Sequence, residues 1–294
     1  MIIDGDHIAR IICEHYNLRI YTAVTTGLAG TISSQHGASP AATLALGRAI
    51  SATALLCATL KPDSPQNVTL RISGTGPVRE IYVQADARGN IRGYVANPAV
   101  EPIVRNGRID MPAIIGAGFL TVVKDLGLKE PYSSVIPLRT GEIARDCAWY
   151  LTESEQVPSA MIIGLAQNGD GGIEASGGIL IQRFPDTPDS ALERVEANIA
   201  AMKTPLGESL RRGEDIISVV SRLMDDYPLS LLGETALRAA CRCNREMIEG
   251  ILKGIDRKEV EDMLEKDHGV ELRCTFCTKI YRYDEAEVRS LLEN

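Results

Sequence analysis

Aromatic side chains are scarce in this chain: 4% of 294 residues, with three phenylalanines and one tryptophan, Trp149. Platforms for stacking bases are therefore hard to assemble, and a core has to be built from Ile, Leu, Val and Ala. An excess of positive charge is missing too. The formal net charge is -8 and the pI is near 5.2, with Lys and Arg scattered among acidic residues, which argues against a phosphate-backbone footprint and leaves no nucleic-acid partner expected. The start, Met1 to His7, has no basic segment leading into an apolar run, and no stretch reads as a membrane span; the expectation is a cytoplasmic protein with no membrane partner. Histidines number four, His7, His15, His36 and His268, in unrelated contexts. No Ser/His/Asp grouping follows from them, so no catalytic residue is assigned and the chain does not read as an enzyme. Gly74 and Gly76 lack a third glycine, a Gly-Lys-Ser/Thr sequence and a following helix, so turn chemistry rather than a nucleotide loop explains them.

What is present is an unusual distribution of cysteine. There are seven, an odd number that disfavours a permanent disulfide framework in a reducing compartment. Cys13, Cys57 and Cys147 stand alone and read as small buried hydrophobes. The other four form two tight pairs, Cys241-Arg242-Cys243 and Cys274-Thr275-Phe276-Cys277. Two thiol pairs separated by a few tens of residues are what a tetrahedral zinc ion needs, each pair giving two ligands from one turn. His268 as a substitute ligand is the minor reading, since a structural site closes at four.

The first pair departs from a scaffold knuckle, with one residue between its thiols, and neither Pro nor Gly lies in or next to the second pair. Arg242, Arg245, Arg273 and Lys279 surround the pairs and are expected to favour the thiolate state. Thiols from so short a pair join only with local strain, and strained disulfides are the reducible, regulatory kind. The site therefore reads as a switch.

The hydrophobic pattern gives an α+β fold: a large N-terminal mixed α/β domain over residues 1–182, a helical connector over 183–231 and a small C-terminal zinc-binding domain over 232–294. A short helix-like stretch after Asp6 precedes a strand over 19–24. Ser39-Pro40 opens a helix over 41–60. Strands are expected over 68–72, 79–85, 91–95 and 119–125, a helix from about 140 to 151, and a hairpin joining 160–165 to 175–182 through Asn168 to Gly172. Beyond the turn at Phe184 to Asp189, Leu192, Val195, Ile199 and Met202 form one apolar stripe, and Ile216, Ile217, Val220, Leu223 and Met224 another. Such stripes either pack on a sheet or belong to a connector that docks on the metal module and detaches from it. The module itself reads as helices over 244–252 and 256–265, a hairpin over 270–273 and 278–283, and a terminal helix over 284–292. Its apolar content is small, so it needs its metal to fold.

The arrangement C-x-C, about thirty residues, C-x-x-C followed by Tyr281 resembles the zinc switch of the redox-regulated 33 kDa chaperonin family of bacterial heat-shock holdases. Gly74-Thr75-Gly76-Pro77, Arg92 to Pro98, Val123 to Lys129, Gly141-Glu142-Ile143-Ala144 and Ser154 to Ser159 extend the likeness over most of the chain. Asn244 and Ala240 depart from the Ser and the aromatic residue that many members carry beside the first pair. The resemblance implies a stress-response chaperone that binds unfolded or partly folded client proteins without ATP, inactive while reduced and holding one Zn²⁺ on Cys241, Cys243, Cys274 and Cys277. It further implies that oxidation joins Cys241 to Cys243 and Cys274 to Cys277, releases zinc and yields a homodimer. Two other readings stay open: a zinc-dependent interaction module with no redox role, and a dithiol oxidoreductase using Cys274 and Cys277. The second is disfavoured because that pair lies in a hairpin rather than between a strand and a helix.

Overall fold

In the computed structural model, which describes residues 4–293, the first half of the chain contains strands β1 (His7–Cys13), β2 (Leu18–Val24), β3 (Asn67–Gly74), β4 (Glu80–Asp86), β5 (Asn90–Val95), β6 (Val104–Arg105), β7 (Arg108–Ile109), β8 (Gly118–Asp125) and β9 (Tyr132–Pro137), with helices α1 (Thr26–Gln35), α2 (Pro40–Ala58), α3 (Met111–Ile115) and α4 (Ile143–Glu153). There follow β10 (Ser159–Gln167), β11 (Ile173–Arg183), helices α5 (Asp189–Ala200), α6 (Leu206–Arg211) and α7 (Ile216–Leu223), and strands β12 (Ser230–Ala236) and β13 (Arg238–Ala239). Last come α8 (Arg245–Lys253), α9 (Arg257–Asp267), the hairpin β14 (Gly269–Arg273) and β15 (Ile280–Asp284), and α10 (Glu285–Glu293). The chain divides into two compact units, the first ending at Ala239 and the second beginning at Ala240.

Helix α2 organises the first unit. Ser39 caps it, its hydroxyl accepting from Ala42 N–H at 3.2 Å, and Pro40 supplies a preset φ in the first turn. All but two of its residues are buried, and a helix with no polar face has to be covered on every side. It is covered by two sheets. One, in the order β13-β5-β4-β3-β8-β9, contacts α2 through β3, β4 and β5; the other, β10-β11-β2-β1-β12, contacts it through β1, β2, β10 and β11. The small side chains along α2 let both sheets approach. Contrary to the sequence reading, Pro40–Ala58 is long and apolar enough by length and composition to cross a membrane, with a mean hydropathy of 1.5, but 94% of that stretch is buried inside the protein. It is a core helix.

The second sheet is antiparallel throughout. Its far face carries α5 to α7, where Leu192, Val195, Leu206, Ile216, Val220 and Leu223 cluster with Ile11, Ile20, Ile179 and Ile181. The apolar stripes of residues 189–224 thus pack on a sheet, one of the two alternatives left by their periodicity. Arg194 on α5 grips Asp225 with two hydrogen bonds of 2.9 and 2.8 Å, and Tyr16 donates to the same carboxylate at 2.5 Å, tying the helical layer to the β1–β2 turn.

Three expectations change. Residues 7–13 form a strand, not a helix-like stretch: β1 is an interior strand with both faces covered, so its burial lacks the alternation that marks a half-buried strand. Residues 232–239, assigned by pattern to the cysteine module, belong to the first unit, because β12 pairs with β1 and β13 with β5; Thr235 Oγ1 accepts from Arg10 at 2.9 Å and Asp6 C=O from Leu237 N–H at 2.8 Å. The second unit therefore begins eight residues later than position 232. Gly74 and Gly76 answer to close approach rather than to turn conformation: a Cβ on Gly74 would fall 2.0 Å from the Ile115 carbonyl oxygen, and one on Gly76 2.4 Å from that of Ile114.

Candidate metal centre

The second unit is small, and its core is correspondingly thin: Ile248, Leu252, Val260, Leu264, Val270, Tyr281, Tyr283, Val288 and Cys274 are its buried members, with Cys241, Cys243 and Cys277 packed against them. Two segments bring the thiols together. Cys241 and Cys243 lie immediately before α8, whose first turn is fixed by Asn244: its side chain accepts from Met247 N–H at 2.7 Å. Asn and Ser both serve this N-cap role, so the departure at position 244 keeps the helix start in place. Cys274 and Cys277 lie in the turn of the β14–β15 hairpin, which Cys274 closes by donating N–H to Lys279 C=O and accepting from Thr278 N–H, both at 2.9 Å. The turn has no glycine. Instead Thr278 takes φ +59°, a left-handed conformation that β-branched residues strongly disfavour.

The four sulfurs lie within 4.8 Å of one another. Cys241 Sγ is 3.6 Å from Cys274 Sγ, and Cys243 Sγ is 3.3 Å from Cys277 Sγ. A regular tetrahedron with metal–sulfur bonds of about 2.3 Å has edges of about 3.8 Å, so the donor set fits a metal ion held by four thiolates. His268 is not among the clustered donors; it ends α9 in the left-handed conformation, φ 54°.

Tyr281 is the polar neighbour that the sequence shows only as part of a motif. Its hydroxyl donates to Cys243 Sγ at 3.2 Å. Strand periodicity places it: along β15, Tyr281 and Tyr283 are buried while Ile280, Arg282 and Asp284 face outward. Burial pushes the Cys243 thiol up, yet the hydrogen bonds from Tyr281 and the neighbouring thiols outweigh this and bring it down to about 7. Cys277 moves the other way, up to about 12, through burial and its hydrogen bonds to the other three sulfurs, and burial raises Cys241 as well. Two of the four basic residues expected to favour thiolates have other partners: Arg245 pairs with Glu287 at 2.6 Å and Glu249 at 3.3 Å and lies over the Tyr283 ring, and the Lys279 ammonium lies over the Tyr281 ring.

The remaining cysteines are inert by environment. Cys13, Cys57 and Cys147 are buried in the first unit, and burial pushes the Cys57 thiol up to about 12 and the Cys147 thiol higher still.

Residues 6–284 match the family model described as Hsp33 protein. Chains named 33 kDa chaperonin are similar over nearly their whole length: that of Geobacter sulfurreducens is 40% identical over 98% of this chain and 95% of its own, and that of Aquifex aeolicus 35% identical over 99% and 89%. The crystal structure of the 33 kDa chaperonin, a heat shock protein 33 homologue, from Thermotoga maritima superposes with a TM-score of 0.89 at 34% identity, covering 98% of both chains. With the α+β architecture, the paired thiols and this likeness all in register, the chain belongs to the Hsp33 family of chaperones.

Proposed function

We propose that this chain is an ATP-independent holdase of the cytoplasm, switched on by oxidation of Cys241, Cys243, Cys274 and Cys277. The observation that carries this reading is the clustering of four sulfurs within 4.8 Å in a unit with so few buried apolar residues. In the reduced protein these four side chains would hold one Zn²⁺, which supplies a cross-link among four thiolates and folding free energy on the order of 10 kcal/mol.

The chemistry that follows belongs to the sulfurs. A thiolate attacks peroxide, the O–O bond breaks, and hydroxide leaves a sulfenic acid; a neighbouring thiolate then displaces hydroxide from that sulfur and closes an S–S bond. Repeated once, this consumes all four thiolates, with Cys241 joined to Cys243 and Cys274 to Cys277. The two short contacts described above run between the pairs, so this pairing requires the sulfurs to re-sort as the unit loosens, and peptide mapping of the oxidised protein distinguishes the connectivities. Without its brace the second unit unfolds. The helical layer of residues 183–231 then lifts from the sheet, uncovering Ile11, Ile20, Ile179 and Ile181 together with its own Leu, Val and Ile side chains, apolar surface of the kind that holds an unfolded client. The oxidised form associates into a homodimer.

The test measures zinc content, free thiols and suppression of thermal aggregation of a model client on one sample before and after peroxide. Activity that rises as zinc leaves is the expected result. Unchanged hydrogen exchange in residues 189–225 after oxidation would remove the helical layer from the reading.

A further inference from the structure

The sheets of the first unit end in strands that are protected, with one exception. Edge strands expose unpaired N–H and C=O groups and are ordinarily blunted by charge, proline, bulges or shortness. β12 carries Glu234 and a register irregularity, β9 ends in Pro137, and β13 is two residues long and contains Arg238. β10 has none of these along most of its length: Ser-Ala-Met-Ile-Ile-Gly-Leu-Ala-Gln is nine residues long and uncharged, and its only irregularity is at its last residue. Among the described residues its outer side pairs with no strand.

Both faces of β10 are nevertheless occupied. Gly164 packs so closely on α6 that a Cβ there would lie 2.2 Å from Gly207 N, while the Leu165 side chain reaches α2, its Cδ1 2.4 Å from where a Cβ on Gly47 would sit. What stays partly open is the main-chain edge over the half-buried residues 161–163 and 165–167, since Ser159, Ala160 and Gly164 are buried. A cavity of about 1190 Å³ runs beside it, lined by the consecutive residues 162–169 and walled by α2 on one side and the start of α6 on the other. Of the charged residues lining this cavity, Arg48 pairs with Glu142 and Arg211 with Glu208 and Glu174, while Arg108 and Lys203 have no carboxylate in ion-pair range among the described residues, which leaves the groove an excess of one positive charge in a chain of net charge -8.

We propose that this groove is a strand-addition site, in which an extended segment of an unfolded polypeptide with acidic residues at its flank hydrogen-bonds to the outer edge of β10. The occupant follows from the chemistry on offer. A row of backbone donors and acceptors recognises another main chain irrespective of its side chains, and Arg108 and Lys203 favour an acidic flank while opposing a second copy that would bring the same cations. The inference rests on the holdase reading for the identity of the partner, and adds to it a place and a mode of binding.

The probe is a labelled peptide of about ten residues, alternating Val and Thr with two Asp at one end, long enough to run the length of β10. A second peptide is N-methylated at alternate residues, which removes the N–H groups of one edge and keeps the apolar side chains. Binding is measured by anisotropy on reduced and oxidised protein, and amide exchange is followed along β10 and β12. The expected result is slowed exchange in residues 159–167 alone, with affinity lowered about tenfold by N-methylation and lowered also by exchanging the exposed Lys203→Glu or Arg108→Glu. Equal affinity for both peptides, or exchange slowed elsewhere only, overturns the proposal. So does protection of β10 that rises with protein concentration without peptide, which assigns the edge to a second copy. Aggregation suppression recorded alongside separates the two readings: holdase activity without β10 protection sinks the docking site alone, and peptide protection of β10 without redox-dependent activity sinks the switch alone.

Discussion

Stripping the metal from the reduced protein should unfold the second unit and leave the first intact. The magnitude follows from how little else holds the second unit. Its buried side chains are one sulfur, two tyrosines and six aliphatic residues, spread over the 55 residues from Ala240 to Asn294, and a domain of that size is marginal without a brace. A structural four-thiolate zinc site contributes about 10–16 kcal/mol, comparable to the whole net stability of a typical domain. Its loss moves the unit from almost fully folded to almost fully unfolded rather than merely weakening it. Helix α2, buried between two sheets, has no part in that balance. The assay is amide exchange with and without a strong chelator under reducing conditions: residues 245–292 should lose protection, and residues 40–58 should keep it. Protection of β14, β15 and α8 persisting in protein shown to be metal-free and reduced would refute the reasoning, because the apolar core would then suffice.

Replacing any one of Cys241, Cys243, Cys274 or Cys277 by Ser should lower metal affinity, read as zinc lost during dialysis, and, on the switch proposed above, should uncouple aggregation suppression from peroxide. Tyr281→Phe removes a donor that stabilises the Cys243 thiolate, the group brought down to about 7; on acidification the variant should release its metal at a higher pH than the parent protein, followed with a chromogenic chelator. The sign is that of a depressed acid: this thiolate's contribution to stability is complete above about 9, and it fades as pH falls through about 7. Thr278→Gly should stabilise the second unit by about 1 kcal/mol by relieving the left-handed threonine, measured as a higher chelator-free melting temperature. Asp146→Ala should destabilise the first unit by about 3 kcal/mol or more, since the buried carboxylate accepts from the backbone N–H of Arg139, Thr140 and Gly141 at 3.1, 3.0 and 2.9 Å.

Much of this architecture is legible in the order of the residues, and the exceptions share a cause. The four-thiol cluster is readable because metal chemistry imposes a spacing on the chain itself, and α2 because Ser39, Pro40 and an unbroken run of small apolar residues agree with one another. β1 escapes because an interior strand covered on both faces carries no alternation. β12 escapes because Ser-Leu-Leu-Gly-Glu-Thr-Ala is exposed to half-buried along its length and owes its conformation to a partner more than two hundred residues away. Tyr281 is visible as a letter but not as a donor, since only the pairing of β14 with β15 turns its hydroxyl toward Cys243. Arg245 misleads for the opposite reason: adjacency in sequence says nothing of direction, and its guanidinium points to Glu249 and Glu287.

The sheet that holds β1 also dictates when this protein can finish folding. β2 waits for β11, and β1 waits for β12, so the layer stays unsealed on the ribosome until residues near 236 have emerged. At an elongation rate of about 20 residues per second, more than ten seconds separate synthesis of β1 from arrival of its last neighbour, during which Ile8, Ile11 and Ile12 have no finished shelter. A molecule that guards other chains against sticking is thus, for the length of its own translation, a chain in need of a guard.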